Sequence, residues 1–303
     1  MTAVDKAREA MQRGEKHMGD LCWPEIWGVG ELTKRAELRA WLVAEGLPDA
    51  MAREDVTARK AFGLALADCL TMPDMKAFAV QREDKRAQAA LIREHVGTGV
   101  AKVTRTWAKL SLDAAGNPAL TWNVDASTWG SDDAARAVFD MFVTRFERHR
   151  DYVSHGEVGT MCTEAFLDYF GGVRLRRNGG VYYVPPESAD KLRAFSRVMT
   201  KLGSSSVPFL PVYDSAETVN VIGEQLHSEL ERQVLYVMEE AESLGGENGK
   251  ARNSSLEVRL DKLVDIRNRS IACGVLLDGY RAQLEEALER AHASISELQK
   301  LAA

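Results

Sequence analysis

Long apolar runs are missing from this 303-residue chain, and none approaches the roughly 20 residues that a membrane helix requires. The opening stretch, MTAVDKAREAMQRGEKHMGD, is charged throughout and has no apolar centre of the kind a signal peptide carries. Both absences point to a cytoplasmic protein. Cysteine is scarce: Cys22, Cys69, Cys162 and Cys273 are scattered, with no CxxC pair and no histidine at ligand spacing. That pattern indicates neither a zinc site nor a disulfide framework, and it predicts reduced thiols. The histidines are equally dispersed; His149 and His155 match no helical metal pair and read as surface or capping residues. The GSSS run at 203–206 lacks the lysine of a P-loop and reads as a flexible linker. Acid pairs such as Glu83 with Asp84, or Glu239 with Glu240, lie in charged polar stretches and read as solvated faces. With no catalytic, metal or cofactor motif, the expectation is a protein that is not an enzyme and holds no cofactor.

What is present is an ordinary globular composition, 45% hydrophobic and 28% charged, on a chain long enough for two or three domains. The net charge of −6 is no global nucleic-acid signature, but it is unevenly spread. Residues 171–201 hold seven basic against two acidic residues, a net of +5, whereas 214–303 hold ten basic against seventeen acidic, a net of −7. An acidic tail thus masks a basic middle.

Residues 2–18 read as a short polar helix, and 21–30, LCWPEIWGVG, as a buried loop or short strand packing Trp23 and Trp27. Helices are predicted at 32–46, with Leu38, Leu42 and Val43 on one face and Gly46 as the stop, and at 57–70, with Phe62, Ala65, Leu66 and Cys69 inward. After Pro73 the pattern turns strand-like at 77–80, 87–94, 100–112 and 119–124. Strict alternation in the third run sets Val103, Arg105, Trp107, Lys109 and Ser111 opposite Thr104, Thr106, Ala108, Leu110 and Leu112. The turn DAAGNP at 113–118 joins it to the fourth as a hairpin, so a small antiparallel sheet is predicted here. Trp107 and Trp122 offer stacking surfaces for single strands, but packing is the preferred reading for both. A helix at 131–149 opens with Asp132 and Asp133 at the positive end of its dipole and carries Val138, Phe142 and Phe146 in its stripe. A second amphipathic helix covers 154–170.

That second helix leads into GGVRLRRNGGVYYVPP, two short β-type runs around an Asn178-Gly179 turn whose residues supply the positive φ that a tight hairpin needs. A helix followed by a cationic hairpin is how a winged helix is built. A basic amphipathic helix at 188–202, capped by Ser188, and a linker at 203–211 follow. Leucine-rich periodicity then fills 216–244 and 256–301 around a Gly-rich turn at 245–254, predicting an antiparallel helical hairpin whose longer arm reaches about 70 Å at 1.5 Å per residue. Arg267, Ser270, Gly274 and Arg281 fall on seam positions, which predicts a kink or a change of partner near Gly274.

The fold class is therefore α+β and predominantly helical, in four consecutive parts: a helical region (1–72), a small antiparallel β region (73–130), a winged-helix-like domain (131–211) and an antiparallel helical hairpin or coiled coil (212–303). The blocks VRLRRNGGVYYVPPESADKLRAF and VPFLPVYDSAETVNVI resemble a family of functionally uncharacterised phage and bacterial proteins with an LR-x-x-GGVYFVP-like block, from about residue 125 onward, with Tyr183 where that block has Phe. The resemblance implies this architecture and a phage or mobile-element setting; it carries no activity to transfer.

The function expected is DNA binding by the middle part, with Arg174, Arg176, Arg177, Lys191, Arg193 and Arg197 on phosphates and Thr160 and Thr163 on a recognition helix. Self-association into a homo-oligomer through Leu226, Leu230, Val237, Leu284 and Leu288 would join several weak sites into one useful affinity. Against this stand Glu157, Glu164 and Asp168, which make the recognition helix acidic. The alternative is an adaptor whose helical hairpin docks a second protein and whose wing arginines are solvated or paired.

Overall fold

The protein is described by a computed structural model over residues 11–12, 14–27, 33–70, 78–82, 89–96, 103–123, 132–175, 180–244 and 253–302. In chain order the elements are β1 (His17–Cys22), α1 (Arg35–Ala44), α2 (Ala58–Leu70), β2 (Phe78–Arg82), β3 (Ala89–Val96), β4 (Val103–Leu112), β5 (Pro118–Trp122), α3 (Asp132–Asp151), α4 (His155–Glu164), β6 (Val173–Arg174), β7 (Tyr182–Val184), α5 (Ala189–Met199), β8 (Phe209–Tyr213), α6 (Ala216–Leu244), α7 (Asn253–Ala272) and α8 (Arg281–Ala302). Helix dominates, and among the described residues no helix is long and apolar enough to cross a membrane. The chain forms two compact units, neither continuous in sequence. One comprises Gly28–Trp41 and Ala52–Val158; the other comprises Met1–Trp27, Leu42–Met51 and Gly159–Ala303.

In the first unit β2-β3-β4-β5 form an antiparallel meander. The turn after β4 is held by Asp113, whose Oδ1 accepts from the amides of Ala115 (2.9 Å) and Asn117 (2.8 Å). The expected alternation along β4 fails at one point. Pairing passes from Ile92 with Ala108 to Arg93 with Thr106, so Trp107 is an extra, bulged residue. The bulge lets adjacent Trp107 and Ala108 both enter the core, with Ile92 and Leu110. Helices α2 and α3 complete that core through Phe62, Leu66 and Cys69 against Val138, Phe142 and Phe146, with the Phe62 and Phe142 rings edge to face at 5.0 Å.

The second unit is built on a sheet of order β6-β7-β1-β8, antiparallel throughout. Successive residues of β7 point to opposite faces, and both faces are covered. Tyr182 meets the Phe166 ring at 4.7 Å, on a face closed by Phe170 and by Phe195 of α5. Tyr183 lies on the other face, clustered with α6, α7 and α8, and donates its hydroxyl to the Met18 carbonyl of β1. The hairpin read as a wing supplies β6 and β7 to this covered sheet; Arg176, Arg177, Asn178 and Gly179 lie outside the described residues.

Several other expectations are corrected here. The polar helix read at 2–18 is helical at Met11 and Gln12 but ends before His17, where β1 begins; residues 1–10 and 13 lie outside the described residues. Trp27, read as packed, is 66% exposed, and Val43 is exposed while Leu38 and Leu42 are buried. Ser188 is buried in a 3-10 turn ahead of α5 and makes no side-chain cap. The linker read at 203–211 is ordered: Ser205 Oγ donates to Trp27 O (3.2 Å), Glu25 and Ser206 exchange both backbone hydrogen bonds at 2.8 Å, and β8 begins at Phe209.

The single long arm read at 256–301 is broken. Helix α7 ends at Ala272, a 3-10 turn spans Gly274–Leu277, and α8 folds back so that α6, α7 and α8 pack on one another as a three-helix bundle. Gly223 allows the closest approach in it, because a Cβ there would stand 2.3 Å from the Leu276 carbonyl oxygen. Leu226, Leu230, Val237, Leu284 and Leu288, expected on an intermolecular seam, are all buried in this chain's own bundle. Removing such a side chain leaves a cavity. Leu230→Ala should therefore lower unfolding free energy by about 2–5 kcal/mol in urea denaturation, with molar mass by light scattering unchanged. Dissociation of an assembly at undiminished protomer stability would contradict the assignment.

Candidate nucleic-acid interface

Of the six residues expected to meet phosphate, Arg174, Arg193 and Arg197 are engaged within the second unit, and Arg176 and Arg177 lie outside the described residues. Arg174 Nη2 donates to Tyr182 Oη (2.9 Å), and its guanidinium lies 5.3 Å from the same ring's centroid. Thr163 Oγ1 donates to Gly159 O (3.1 Å) and lies 3.3 Å from Tyr182 Oη, while Thr160 is half-buried on α4. On the exposed face of α5, Arg193 pairs with Asp190 at 2.9 Å, and Arg197 pairs with Glu45 at 2.7 Å, joined by Lys201 at 3.6 Å. The hydrogen bond from Arg197, ahead of the burial cost that opposes it, holds the Glu45 carboxyl below its ordinary range. Lys191 is exposed and makes no ion pair among the described residues. The unit as a whole carries 21 basic against 28 acidic residues, a net of −7, whereas the first unit carries 18 against 17, a net of +1.

Four of the first unit's basic residues line one cavity of about 460 Å³ that was not legible in the chain. Helix α2 presents Lys60, Leu64 and Asp68 to it at four-residue spacing, hence from one face. Arg53 and Val56 come from the segment before α2, Arg148, His149 and Tyr152 from the end of α3, and Ser154, His155 and Glu157 from the start of α4. Arg35, at the start of α1, ties these together. Its side chain is 6% exposed. Nε donates to Arg150 O (3.2 Å), while Nη2 donates to His149 O (3.3 Å) and to Glu157 Oε2 (2.9 Å). A cation at the last carbonyls of α3 satisfies groups the helix leaves unpaired and complements its negative end.

Glu157 completes a capping box on α4. It accepts from the Ser154 amide (2.8 Å) and hydroxyl (3.0 Å), and its own amide donates to Ser154 Oγ (3.3 Å). Burial alone pushes the Glu157 carboxyl up as the largest single influence, but the bonds from Arg35 and Ser154 together outweigh it and leave the carboxyl lowered. His149 Nε2 lies 2.8 Å from Asp68 Oδ2. The lining thus sets four permanent cations, Arg35, Arg53, Lys60 and Arg148, against two carboxylates that already have partners.

This arrangement collects positive charge, and the side chains read for chemistry are otherwise engaged. The Ser154 hydroxyl donates to Glu157, so no histidine draws on it as a base. All four cysteines are buried, and burial pushes the Cys162 and Cys273 thiols up to about 12, far from thiolate at neutral pH. Among the described residues no three His, Cys, Asp or Glu side chains converge as a metal site.

A model of a family of unknown function, DUF6744, matches residues 17–303. The chain belongs to that family. The match begins at β1, well upstream of residue 125, so DUF6744 takes in both units of the fold. No curated protein and no solved structure matches this DUF6744 chain.

The one signal that pointed towards the cavity was the S-x-x-E spacing of Ser154 and Glu157, a capping box by pattern. Because the folded-state pKa of Glu157 is lowered, its contribution to stability is present above the ordinary carboxylate pKa and is lost as pH falls through the lower folded value. Glu157→Gln should therefore cost about 1–3 kcal/mol at pH 7. The gap from wild type should close as pH drops below about 4.3. Urea denaturation at several pH values checks this; a gap of constant size would contradict the charged role.

Proposed function

We propose that this protein is a non-enzymatic, phosphate-contacting DNA-binding protein whose main contact is the cationic cavity of the first unit. The observation that carries the reading is the convergence of Arg35, Arg53, Lys60 and Arg148 on one concavity, with Asp68 and Glu157 the two carboxylates in its lining. Such a site attracts phosphate without reading sequence, so affinity falls steeply with salt. Lys191, Arg193 and Arg197 are secondary contacts. The ion pairs of Arg193 and Arg197 lie at the surface and are screened by solvent, so phosphate can replace the carboxylate. Part of the same proposal is a phage or mobile-element setting, which rests on the resemblance of the GGVYYVPP block.

A second reading, docking of a partner protein on the helical bundle, is supported by Val264 and Ile271 on α7, 53% and 65% exposed, and by Val275 in the turn that follows it, 42% exposed. Fluorescence-anisotropy titrations with labelled single- and double-stranded DNA at roughly 50 and 200 mM salt separate the two readings. DNA binding predicts salt-sensitive affinity, with the Arg53→Ala/Lys60→Ala variant losing about 2 from the log–log salt slope. The Lys191→Ala/Arg193→Ala/Arg197→Ala variant should change affinity far less. No binding to either form at the lower salt, or loss only in the α5 variant, would overturn the proposal.

A further inference from the structure

Resting on the reading of the cavity as a DNA contact, we infer that it takes an unpaired nucleotide, backbone and base together, so that the protein selects single-stranded over double-stranded DNA. In a duplex the bases are stacked on one another, and a protein reaches phosphates, sugars and base edges but no base face. In a single strand a base is free to turn into a cavity and stack on a side chain. At about 460 Å³ the cavity lies within the range of sites that enclose small molecules, well beyond what one phosphate group fills. Its walls are mixed: Arg35 and Lys60 supply donors, Val56 and Leu64 apolar surface, and Tyr152 an aromatic ring.

Ring and donor are anchored on one short ribbon of backbone, residues 33–35 against 150–153. An isolated antiparallel bridge pairs Lys34 with Tyr152, the Val153 amide donates to Thr33 O (3.1 Å), and Arg35 Nε donates to Arg150 O (3.2 Å). The Tyr152 amide also donates to Arg148 O (3.2 Å), so the backbone beneath this half-buried side chain is fixed on both sides. A tyrosine then has only two χ angles to order when it stacks, a small entropic cost. Arg35 is 5% exposed, with Nε and Nη2 engaged by the end of α3 and by Glu157, while Nη1 makes no hydrogen bond among the described residues. A guanidinium fixed on one edge presents its other edge to a phosphate oxygen.

The acids of the lining fit a base better than they fit a bare phosphate, which offers acceptors only. Asp68 lines the cavity with its side chain 40% exposed. An unpaired base carries on its Watson–Crick edge N–H groups that a duplex has already bonded to the other strand, and a carboxylate accepts from them. Donors, acceptors and an aromatic ring in one concavity complement a whole nucleotide.

Anisotropy titrations of the full chain at about 50 mM salt compare one short mixed-sequence strand in three forms: single, annealed to its complement, and single with abasic sites in place of its bases. The single strand should bind at least about tenfold tighter than the duplex, and the abasic strand should lose that advantage. Tyr152→Ala should weaken binding of the single strand about tenfold and leave the duplex and the abasic strand unchanged, with Tyr152→Phe retaining the preference through its ring. The abasic comparison uses the unaltered protein, so the inference is tested even where Tyr152→Ala fails to fold. Equal affinity for single strand and duplex, or an abasic strand bound as tightly as the intact one, overturns the inference and leaves the DNA reading standing. So does a single-strand preference that survives Tyr152→Ala in a folded protein. No binding to any of the three forms overturns the DNA reading itself, and this inference with it.

Discussion

The burial of β7 on both faces is the constraint on which the second unit depends. A strand whose alternate residues, Tyr182 and Tyr183, both enter apolar surroundings cannot sit at a solvent-facing edge. Partners must cover its two faces and both its hydrogen-bonding sides. The chain supplies β6 from the adjacent arm and β1 from far upstream on the sides, with the Phe166 and Phe195 helices on one face and the α6–α8 bundle on the other. Two consequences follow for function. Arg174, next to this strand, is held against Tyr182 by a hydrogen bond and a cation–π contact, so its charge serves the sheet. The leucines of the bundle cover Tyr183 and one another within the chain.

In the first unit the organising group is Arg35. Its guanidinium joins the end of α3 to the start of α4 through two carbonyls and one carboxylate, and so fixes the spacing of His149, Ser154 and Glu157. The cavity lies where these helix ends meet α2. Charges in such a concavity are screened less than on an open surface.

Much of the fold was legible because it is periodic. Helix α2, with Phe62, Leu66 and Cys69, and helix α3, with Phe142 and Phe146, lie close to their expected bounds, as do the four strands of the meander and the whole of α6. Segments whose structure is imposed from a distance were not legible. β1, HMGDLC, has little β-branched content and is a strand because Asp20 to Cys22 pair with Val184 to Tyr182, more than a hundred residues away. β8 contains Pro211, which argues against a strand by propensity, yet it is an edge strand in the order β6-β7-β1-β8, where a missing N–H is tolerated. The break after α7 was readable at Gly274, but the folding back of α8 onto α6 was not. The cavity was least legible of all: Arg35, Lys60 and Arg148 come from three separate segments with nothing local to mark a site, and only the Ser154–Glu157 spacing on a fourth gave a signal.

The central claim is that anion binding belongs to the first unit and not to the basic hairpin and helix that the sequence advertises. Hydrogen-exchange mass spectrometry, with and without a short phosphorylated single strand, tests it residue range by residue range. The account predicts slowed exchange chiefly in peptides covering 53–64 and 148–157, with a much smaller change over 173–201. Slowed exchange confined to 173–201 would contradict it.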